Sequence, residues 1–408
     1  MLKKILIIGD EFGFPKGYAA TNYVTLLAKG FLHHSIDVKV IVTSHSDYAQ
    51  IPLNTQSKGV HEGIKFEYTI GSPSPYTPSR IWRTRIGSRI RHYFPRIRLI
   101  RCLILARLSG CRHVLFYGRN YELWKTLRKL TKFLGMKLVP IIVEWTPAIP
   151  LRPLRYLAKE LRFYEAAFSQ ADGLALISDF LIEKMHYCTC SPPPLFKIPI
   201  LCHAGMRAFQ KDLEQTTSSL TESSRYIAYC ADHNGYKSDT IFVINSFAEA
   251  RVDGLHLKLI GKCSPATNKE LTEIVTNLGL SGLVHIHSEY IETEQLKHIY
   301  ADSELLLLPM ENSDRNRARF PSKIADYLLS GTAVLCHRVG EVANYLKDNK
   351  NVYFCDHWDV KEFGRRIHTS IHDSNRENIG QSGLQVAASE FDCDHVVADL
   401  QAFLKTLG

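Results

Sequence analysis

The chain has 408 residues, of which 45% are hydrophobic and 22% are charged. This composition excludes disordered, collagen-like and disulfide-rich classes, and the length suggests two or three globular domains. No uncharged apolar run approaches the roughly 18–20 residues that span a bilayer, and the first residues lack the apolar core of a signal peptide. The ten cysteines are scattered, with no second close pair to complete a zinc site. We therefore expect a cytoplasmic protein.

Short apolar runs alternate with helical patterns along both halves of the chain. In the first half, the predicted strands are Lys4–Ile8, Val38–Val42, Lys65–Thr69, His113–Tyr117, Leu138–Val143, Gly173–Ile177 and Phe196–Ile200. In the second half, they are Tyr226–Cys230, Leu255–Ile260, Val284–His287, Leu305–Leu308, Ala333–Cys336 and Val352–Cys355. Helical stretches separate these runs, which is typical of parallel sheets built from βαβ units.

The alternation predicts an α/β fold with two Rossmann-like, doubly wound parallel-sheet domains facing a cleft. We place the N-terminal domain at residues 1–203 and a polar linker at 204–224. The second domain then covers 225–388, and a C-terminal helix at 389–408 is expected to pack back toward the first domain.

The net charge of +9 is unevenly distributed. Residues 1–200 contain 29 Lys and Arg against 13 Asp and Glu, a net charge of +16, whereas residues 201–408 contain 21 against 28, a net charge of −7. The segment Arg80–Lys132 alone contains 15 basic residues and one acid, interleaved with apolar side chains. One helix with basic and apolar faces would suit an anionic membrane surface. A solvated basic helix is the alternative; no known nucleic-acid motif accompanies the segment, so we expect no nucleic acid.

The first loop follows a predicted strand and contains Gly13 and Gly17. Glycines allow close backbone approach, and the following helix offers amide donors to an anion. The spacing matches neither the dinucleotide fingerprint nor a Walker A loop. A plain βα turn is the alternative interpretation.

A second candidate site lies on a helix predicted between Pro321 and Gly331. Arg319 and Lys323 would lie at its N-terminus, where charge and helix dipole together could hold a diphosphate. Asp326, one turn further, could accept hydrogen bonds from ribose hydroxyls. A surface helix with an ordinary Lys–Asp pair is the alternative.

Several segments resemble, in order, the GT-B glycosyltransferases, close to retaining family 4. They are Ala171–Ser178, Lys197–Leu201, Cys230–Lys237, Leu257–Gly261 and Phe320–Leu335. The similarity spans nearly the whole chain. The resemblance implies a donor site formed by Gly13, Gly17, Lys237, Arg319, Lys323, Asp326, Gly340 and Glu341. In that site Lys237, Arg319 and Lys323 would be catalytic cations that stabilise the leaving nucleoside diphosphate.

The sequence departs from the family pattern at two positions. The first glutamate of the E-x7-E motif falls at Ala318, so its function is missing or moved to Glu311 or Asp314. The family's first donor-site arginine falls at Asp232, and Arg319 is a candidate replacement. These departures leave the identity of the donor open.

The resemblance also implies an enzyme that needs no metal and no cofactor, with the departing phosphate deprotonating the acceptor hydroxyl in a front-face attack. Asp392 and Asp394 imitate the D-x-D metal motif of another glycosyltransferase fold but lack its context. Candidate acceptor-binding residues are Glu144, Trp145 and Arg119. A structural carboxylate that caps a loop is the alternative for Glu144.

These observations predict a hexosyltransferase-type glycosyltransferase that uses a nucleoside-diphosphate sugar. Its acceptor would be a polysaccharide or a lipid-linked glycan of the cell envelope, and its basic segment would hold it at the inner membrane face. The alternatives are a catalytically degenerate GT-B-like binding or scaffold protein, and a sugar-nucleotide epimerase or phosphorylase on the same fold.

Overall fold

The computed structural model describes residues 2–45, 53–74, 94–149, 153–205, 225–289 and 291–408. The chain divides into two compact units, and neither is a single continuous segment. The first unit comprises Met1–Leu201, Ala318–Phe320 and Asp392–Gly408, and the second comprises Cys202–Arg317 and Pro321–Phe391.

The first unit is built on an eight-stranded sheet in the order β3-β4-β2-β1-β5-β6-β7-β8. Its strands are β1 (Lys4–Gly9), β2 (Asp37–Val42), β3 (Lys58–His61), β4 (Ile64–Tyr68), β5 (His113–Tyr117), β6 (Lys137–Ile142), β7 (Leu174–Leu176) and β8 (Leu195–Lys197). All neighbouring strands are parallel except β3 and β4. The central strands are buried on both faces, as their continuous apolar runs predict.

Helices α1 (Ala19–His33), α2 (Phe94–Leu108), α3 (Tyr121–Phe133), α4 (Leu154–Gln170) and α5 (Asp179–Cys188) connect these strands. Two begin at residues whose side chains satisfy free backbone N–H groups. Asn120 caps α3 by accepting from Glu122 and Leu123, and Ser178 caps α5 by accepting from Leu181.

The basic residues of Arg80–Lys132 do not share one helix in the part that the structure describes. From residue 94 onward the segment consists of α2, the buried strand β5 and α3. Residues 80–93 lie outside the described residues. Strand β5 is the one that the sequence predicts at His113–Tyr117, and it divides the basic residues between two helices.

The second unit contains a six-stranded, all-parallel sheet in the order β11-β10-β9-β12-β13-β14. Its strands are β9 (Tyr226–Cys230), β10 (His256–Ile260), β11 (Val284–His287), β12 (Leu305–Leu308), β13 (Val334–His337) and β14 (Tyr353–Cys355). The helices are α6 (Lys237–Ala250), α7 (Pro265–Asn277), α8 (Thr293–Asp302), α9 (Asp314–Ala318), α10 (Ser322–Leu329), α11 (Glu341–Tyr345), α12 (Val360–Ile371) and α13 (Arg376–Glu390). Two parallel sheets confirm the predicted α/β class.

The last helix, α14 (Cys393–Thr406), packs on α1 in the first unit. Gly30 of α1 allows this close approach, because a Cβ there would lie 2.6 Å from the Cys393 carbonyl oxygen and 2.7 Å from Val397. Val397 and Leu400 are fully buried in the core of the first unit. Among the described residues, no helix combines the length and hydropathy needed to cross a membrane.

Candidate functional site

The second sheet has its topological switch point at β9, because β10 lies on one side of this strand and β12 on the other. In doubly wound sheets, ligands bind at the carboxyl ends of the strands beside such a point. The loops that follow β9 and β12 lead into α6, α9 and α10. Residues predicted for the donor site begin two of these helices.

Lys237 is the first residue of α6 and therefore lies at its positive dipole end. Its Nζ lies 2.8 Å from Oε2 of Glu270 on α7, and both side chains are nearly half exposed. The ammonium group is accessible to an anion, but it already has one carboxylate partner. Glu270 would compete with a bound anion for the Lys237 ammonium group, and sequence reasoning did not identify it.

Lys323 is the second residue of α10, which follows Pro321 at the N-cap. Its Nζ lies 3.8 Å from Oδ2 of Asp326, so the predicted Lys–Asp pair is present. Burial works to lower the pKa of Lys323, but the neighbouring Cys230 and Asp326 outweigh it and the pKa is raised. The ammonium group therefore stays charged at neutral pH. Gly331 closes the helix at φ +73°, as predicted.

Arg319 precedes α10 by three residues and groups with the first unit, together with Ala318 and Phe320. Ala318 is fully buried, and it gives this chain no carboxylate at the place of the family's glutamate. Of the two candidates for a moved carboxylate, Asp314 is bound by Arg317 one helical turn away, whereas Glu311 is exposed.

Gly340 caps the N-terminus of α11 with φ +58°, a backbone conformation that favours glycine. A Cβ at this position would also lie 3.0 Å from the Asn316 carbonyl oxygen and 3.1 Å from Arg317 Cα. The next residue, Glu341, is 1% exposed, and its carboxylate accepts a hydrogen bond from Asn344. This loop can therefore offer an anion its backbone rather than the Glu341 side chain.

The first sheet has its own switch point at β1, which lies between β2 and β5. The carboxyl ends of β1, β5 and β6 surround a cavity of ≈ 130 Å³ whose lining includes Glu11, Tyr117, Arg119 and Glu144. Arg119 donates from Nε to Glu11, and its Nη1 lies 3.5 Å from Glu144 Oε2. The structure thus brings the predicted pair Arg119 and Glu144 into contact.

Trp145 lies beside this cavity on the chain that follows Glu144. Its ring centroid is 4.5 Å from that of Tyr164, and Lys184 Nζ lies 5.9 Å from the Trp145 ring centroid. The Tyr164 hydroxyl donates to the Glu144 carbonyl oxygen at 2.8 Å. The tryptophan is half-buried, so part of its ring is available to a ligand.

Asp10 follows β1 and precedes Glu11 of the cavity lining; the residue is half-buried, and its Oδ1 is fully buried. Its Oδ1 has no hydrogen-bond partner among the described residues, and a Cβ at Gly118 would overlap this oxygen. Burial, with a smaller contribution from the charge of Glu11, raises the pKa of Asp10 to about 7. The group can therefore hold or release a proton near neutral pH.

The predicted glycines of the first loop lie in a firmly held segment. The Gly13 carbonyl oxygen accepts from Thr21 Oγ1 at 2.8 Å. Gly17 packs against Thr21, and the intervening Lys16 exchanges two hydrogen bonds with the Asn54 side chain. Both glycines lie close to the N-terminus of α1 in sequence, where the backbone N–H groups are free to meet an anion.

Comparisons with known proteins agree with this architecture. Residues 222–386 match the family model described as Glycosyl transferases group 1. This match covers most of the second unit, and the chain has the GT-B fold. No curated protein sequence matches it.

Solved structures share the fold of this chain over 99% of its length. One is sucrose-phosphate synthase from Thermosynechococcus elongatus, with 13% identity, TM-score 0.73 and 99% of that chain covered. Another is Anabaena HepE in complex with UDP, with 16% identity, TM-score 0.69 and 100% covered. A third is the trehalose-6-phosphate protein from E. coli bound with UDP-2-fluoro glucose, with 11% identity, TM-score 0.69 and 99% covered. At these identities the likeness shows the fold.

Sequence reasoning missed one cation beside the predicted donor site. Arg315 of α9 lies with its guanidinium carbon 4.8 Å from the ring centroid of Tyr236, the residue before Lys237. Asp232, which occupies the place of the family's arginine, instead accepts from the backbone N–H of Asn234 at 3.1 Å and stabilises the loop. Arg315 therefore supplies positive charge beside Lys237 from a different element.

The acidic residues at the start of α14 have structural partners. Asp392 caps the helix by accepting from the Asp394 N–H, and Asp394 lies 2.7 Å from Nδ1 of His33. With Cys393 they form the one group of three possible metal ligands among the described residues. Their capping and pairing roles explain the D-x-D pattern without a metal.

Proposed function

We propose that this protein is a glycosyltransferase that moves a hexose from a UDP-sugar to a polysaccharide or a lipid-linked glycan. The observation that carries the proposal is the set of three cations, Lys237, Arg315 and Lys323, beside the switch point of the second sheet. Two of them begin helices whose dipoles also favour an anion. UDP is the proposed carrier because HepE and the E. coli neighbour are described with UDP compounds.

The proposed reaction retains the configuration at the sugar carbon and needs no metal. The bond from the sugar carbon to the diphosphate breaks, the bond to the acceptor oxygen forms on the same face, and the acceptor proton passes to the departing phosphate oxygen. Lys237, Arg315 and Lys323 would stabilise the charge that develops on the diphosphate, and we include Arg319 as a further cation. Asp326 would bind the ribose, and the Gly340 backbone would approach the phosphates.

The acceptor is proposed to bind at the cavity of Glu11, Arg119 and Glu144 in the first unit. Arg119 is already neutralised by two carboxylates, so the cluster has no excess positive charge to attract a phosphate. Carboxylates are hydrogen-bond acceptors, and the hydroxyl groups of a glycan are matching donors. This charge balance favours a neutral, hydroxyl-rich acceptor group over a sugar phosphate at this position.

The proposed donor is tested by thermal unfolding with UDP, GDP, ADP, CDP and dTDP, each in the presence of EDTA. UDP at about 100 times its Kd should stabilise the protein by about 2.7 kcal/mol. Proton NMR of slow UDP-glucose hydrolysis should then show the α anomer first. If none of the five nucleotides stabilises the protein, the proposal is contradicted. If UDP binds but UDP-sugars are not turned over with glycan acceptors, the protein is the degenerate binding protein.

Glu270→Gln is expected to strengthen UDP binding up to about fivefold. The substitution removes the carboxylate that lies 2.8 Å from Lys237 Nζ, and an exposed ion pair of this kind is worth about 1 kcal/mol or less. Isothermal titration would measure the change. Glu273→Gln, on the same helix and paired with Lys269, is the matched control; equal affinities for all three proteins would remove Lys237 from the diphosphate site.

A further inference from the structure

An exposed apolar stripe runs along α2, the first described element of the basic segment. The helix buries one face through Leu99, Cys102 and Leu103. At 100° per residue, the opposite face carries side chains that are between 36% and 79% exposed: Ile97, Ile100, Ile104, Leu105 and Leu108. The helix is therefore apolar on two opposite faces, and only one of them packs against the protein. Scattered exposed apolar residues are ordinary, but five on one helical face form a patch.

Arginines border this stripe: at 100° per residue Arg96 and Arg107 lie at one edge, Arg98 lies at the other, and Arg101 lies within it. Residues 94–108 contain four arginines and no acidic residue: Arg96, Arg98, Arg101 and Arg107. The Arg101 side chain is 64% exposed and reaches Glu67 only at 3.4 Å. At the C-terminal end, Arg107 donates to the Leu134 carbonyl oxygen at 2.9 Å, which places the ends of α2 and α3 side by side. There the 87% exposed ring of Phe133 follows the exposed Lys132.

We propose that the exposed face of α2 docks on an anionic lipid bilayer, with the apolar stripe among the acyl chains and the arginines at the headgroups. A helix with basic flanks and an apolar face lies in the membrane interface in this way. Each arginine near an anionic surface strengthens binding by about fivefold. The charge argues against a second copy of the chain, because a symmetric contact would set four arginines against four arginines.

The docking surface would keep the first unit beside a lipid-linked acceptor. Only this purpose rests on the proposed function. Lipid binding itself requires neither a nucleotide nor turnover. The two proposals can therefore fail separately, since vesicle binding and UDP binding are measured in different assays on the same full-length protein.

The test is co-sedimentation of the full chain with phosphatidylcholine vesicles that contain either no or 30% phosphatidylglycerol. We expect binding to the anionic vesicles, at least tenfold weaker binding to the neutral ones, and loss of binding at high salt. Ile97→Asp/Leu108→Asp should weaken binding to anionic vesicles at least tenfold. The matched control is Leu154→Asp/Tyr187→Asp, which changes two apolar residues outside the stripe that are at least as exposed and should bind like the wild type.

Thermal unfolding with and without UDP checks that both double variants fold and keep the nucleotide site. Equal vesicle binding by the stripe variant and the wild type would overturn the proposal, as would no binding by the wild type. Light scattering gives the other outcome. If the wild type binds no lipid and forms a dimer, and the stripe variant is a monomer, the face binds a second copy instead.

Discussion

Lys323→Ala is expected to weaken UDP binding about 30-fold or more. Lys323 combines a raised pKa with a position at the N-terminus of α10, so its charge adds to the helix dipole. Truncating one partner of a desolvated, hydrogen-bonded charge pair costs roughly 2–5 kcal/mol, and the partly exposed Lys323 belongs at the lower end of that range. Isothermal titration with UDP would measure the loss, and the unfolding temperature without nucleotide should change little.

Two further variants sharpen this test. Lys269→Ala removes an 80% exposed lysine of α7 and should leave UDP affinity unchanged. Lys237→Ala should have a smaller effect than Lys323→Ala, because Glu270 already offsets part of the Lys237 charge. Wild-type affinity in a folded Lys323→Ala protein would refute the placement of the diphosphate at α10, and a larger loss in Lys237→Ala would move it toward α6.

The strands were predictable because a strand buried on both faces has a continuous apolar run. The sequence does not predict β3, because this short strand is partly exposed and has no continuous apolar run. It pairs with β4 through a two-residue turn at Glu62 and Gly63, both at positive φ. That backbone suits the tight turns of hairpins, but Glu-Gly is a weaker sequence signal than Asn-Gly.

The site was less predictable, because strand order rather than chain order decides which residues meet. Arg315 lies next to Tyr236 since β12 pairs with β9, although about 80 residues separate them in sequence. Glu11 meets Arg119 because β5 pairs with β1. The resemblance to a family supplied Lys237, and the start of a predicted helix supplied Lys323, yet neither signal could supply residues in which this chain departs from the family. A charged residue directly after a buried strand was the signal available for Asp10 and Glu11.

The Asp10→Asn variant is expected to be more stable than the wild type at pH 8, and this difference in the free energy of unfolding should be smaller at pH 5. The pKa of Asp10 is raised to about 7 in the folded state, so the folded protein holds a proton that the unfolded chain releases near pH 4. Wild-type stability therefore falls as the pH rises from about 4 to about 7, and the lost stability stays lost above pH 7. Asparagine has no charge to desolvate and should escape this penalty.

At 1.36 kcal/mol per pKa unit, the advantage of Asp10→Asn should grow by about 2–3 kcal/mol between pH 5 and pH 8. Urea unfolding at both pH values would measure it, with the exposed Asp253→Asn as the matched control. A pH-independent difference would mean that Asp10 is ionised throughout. If Asp10→Asn gains stability at pH 8 and loses transferase activity, the buried carboxyl is held in the fold at a cost to stability because catalysis uses its proton.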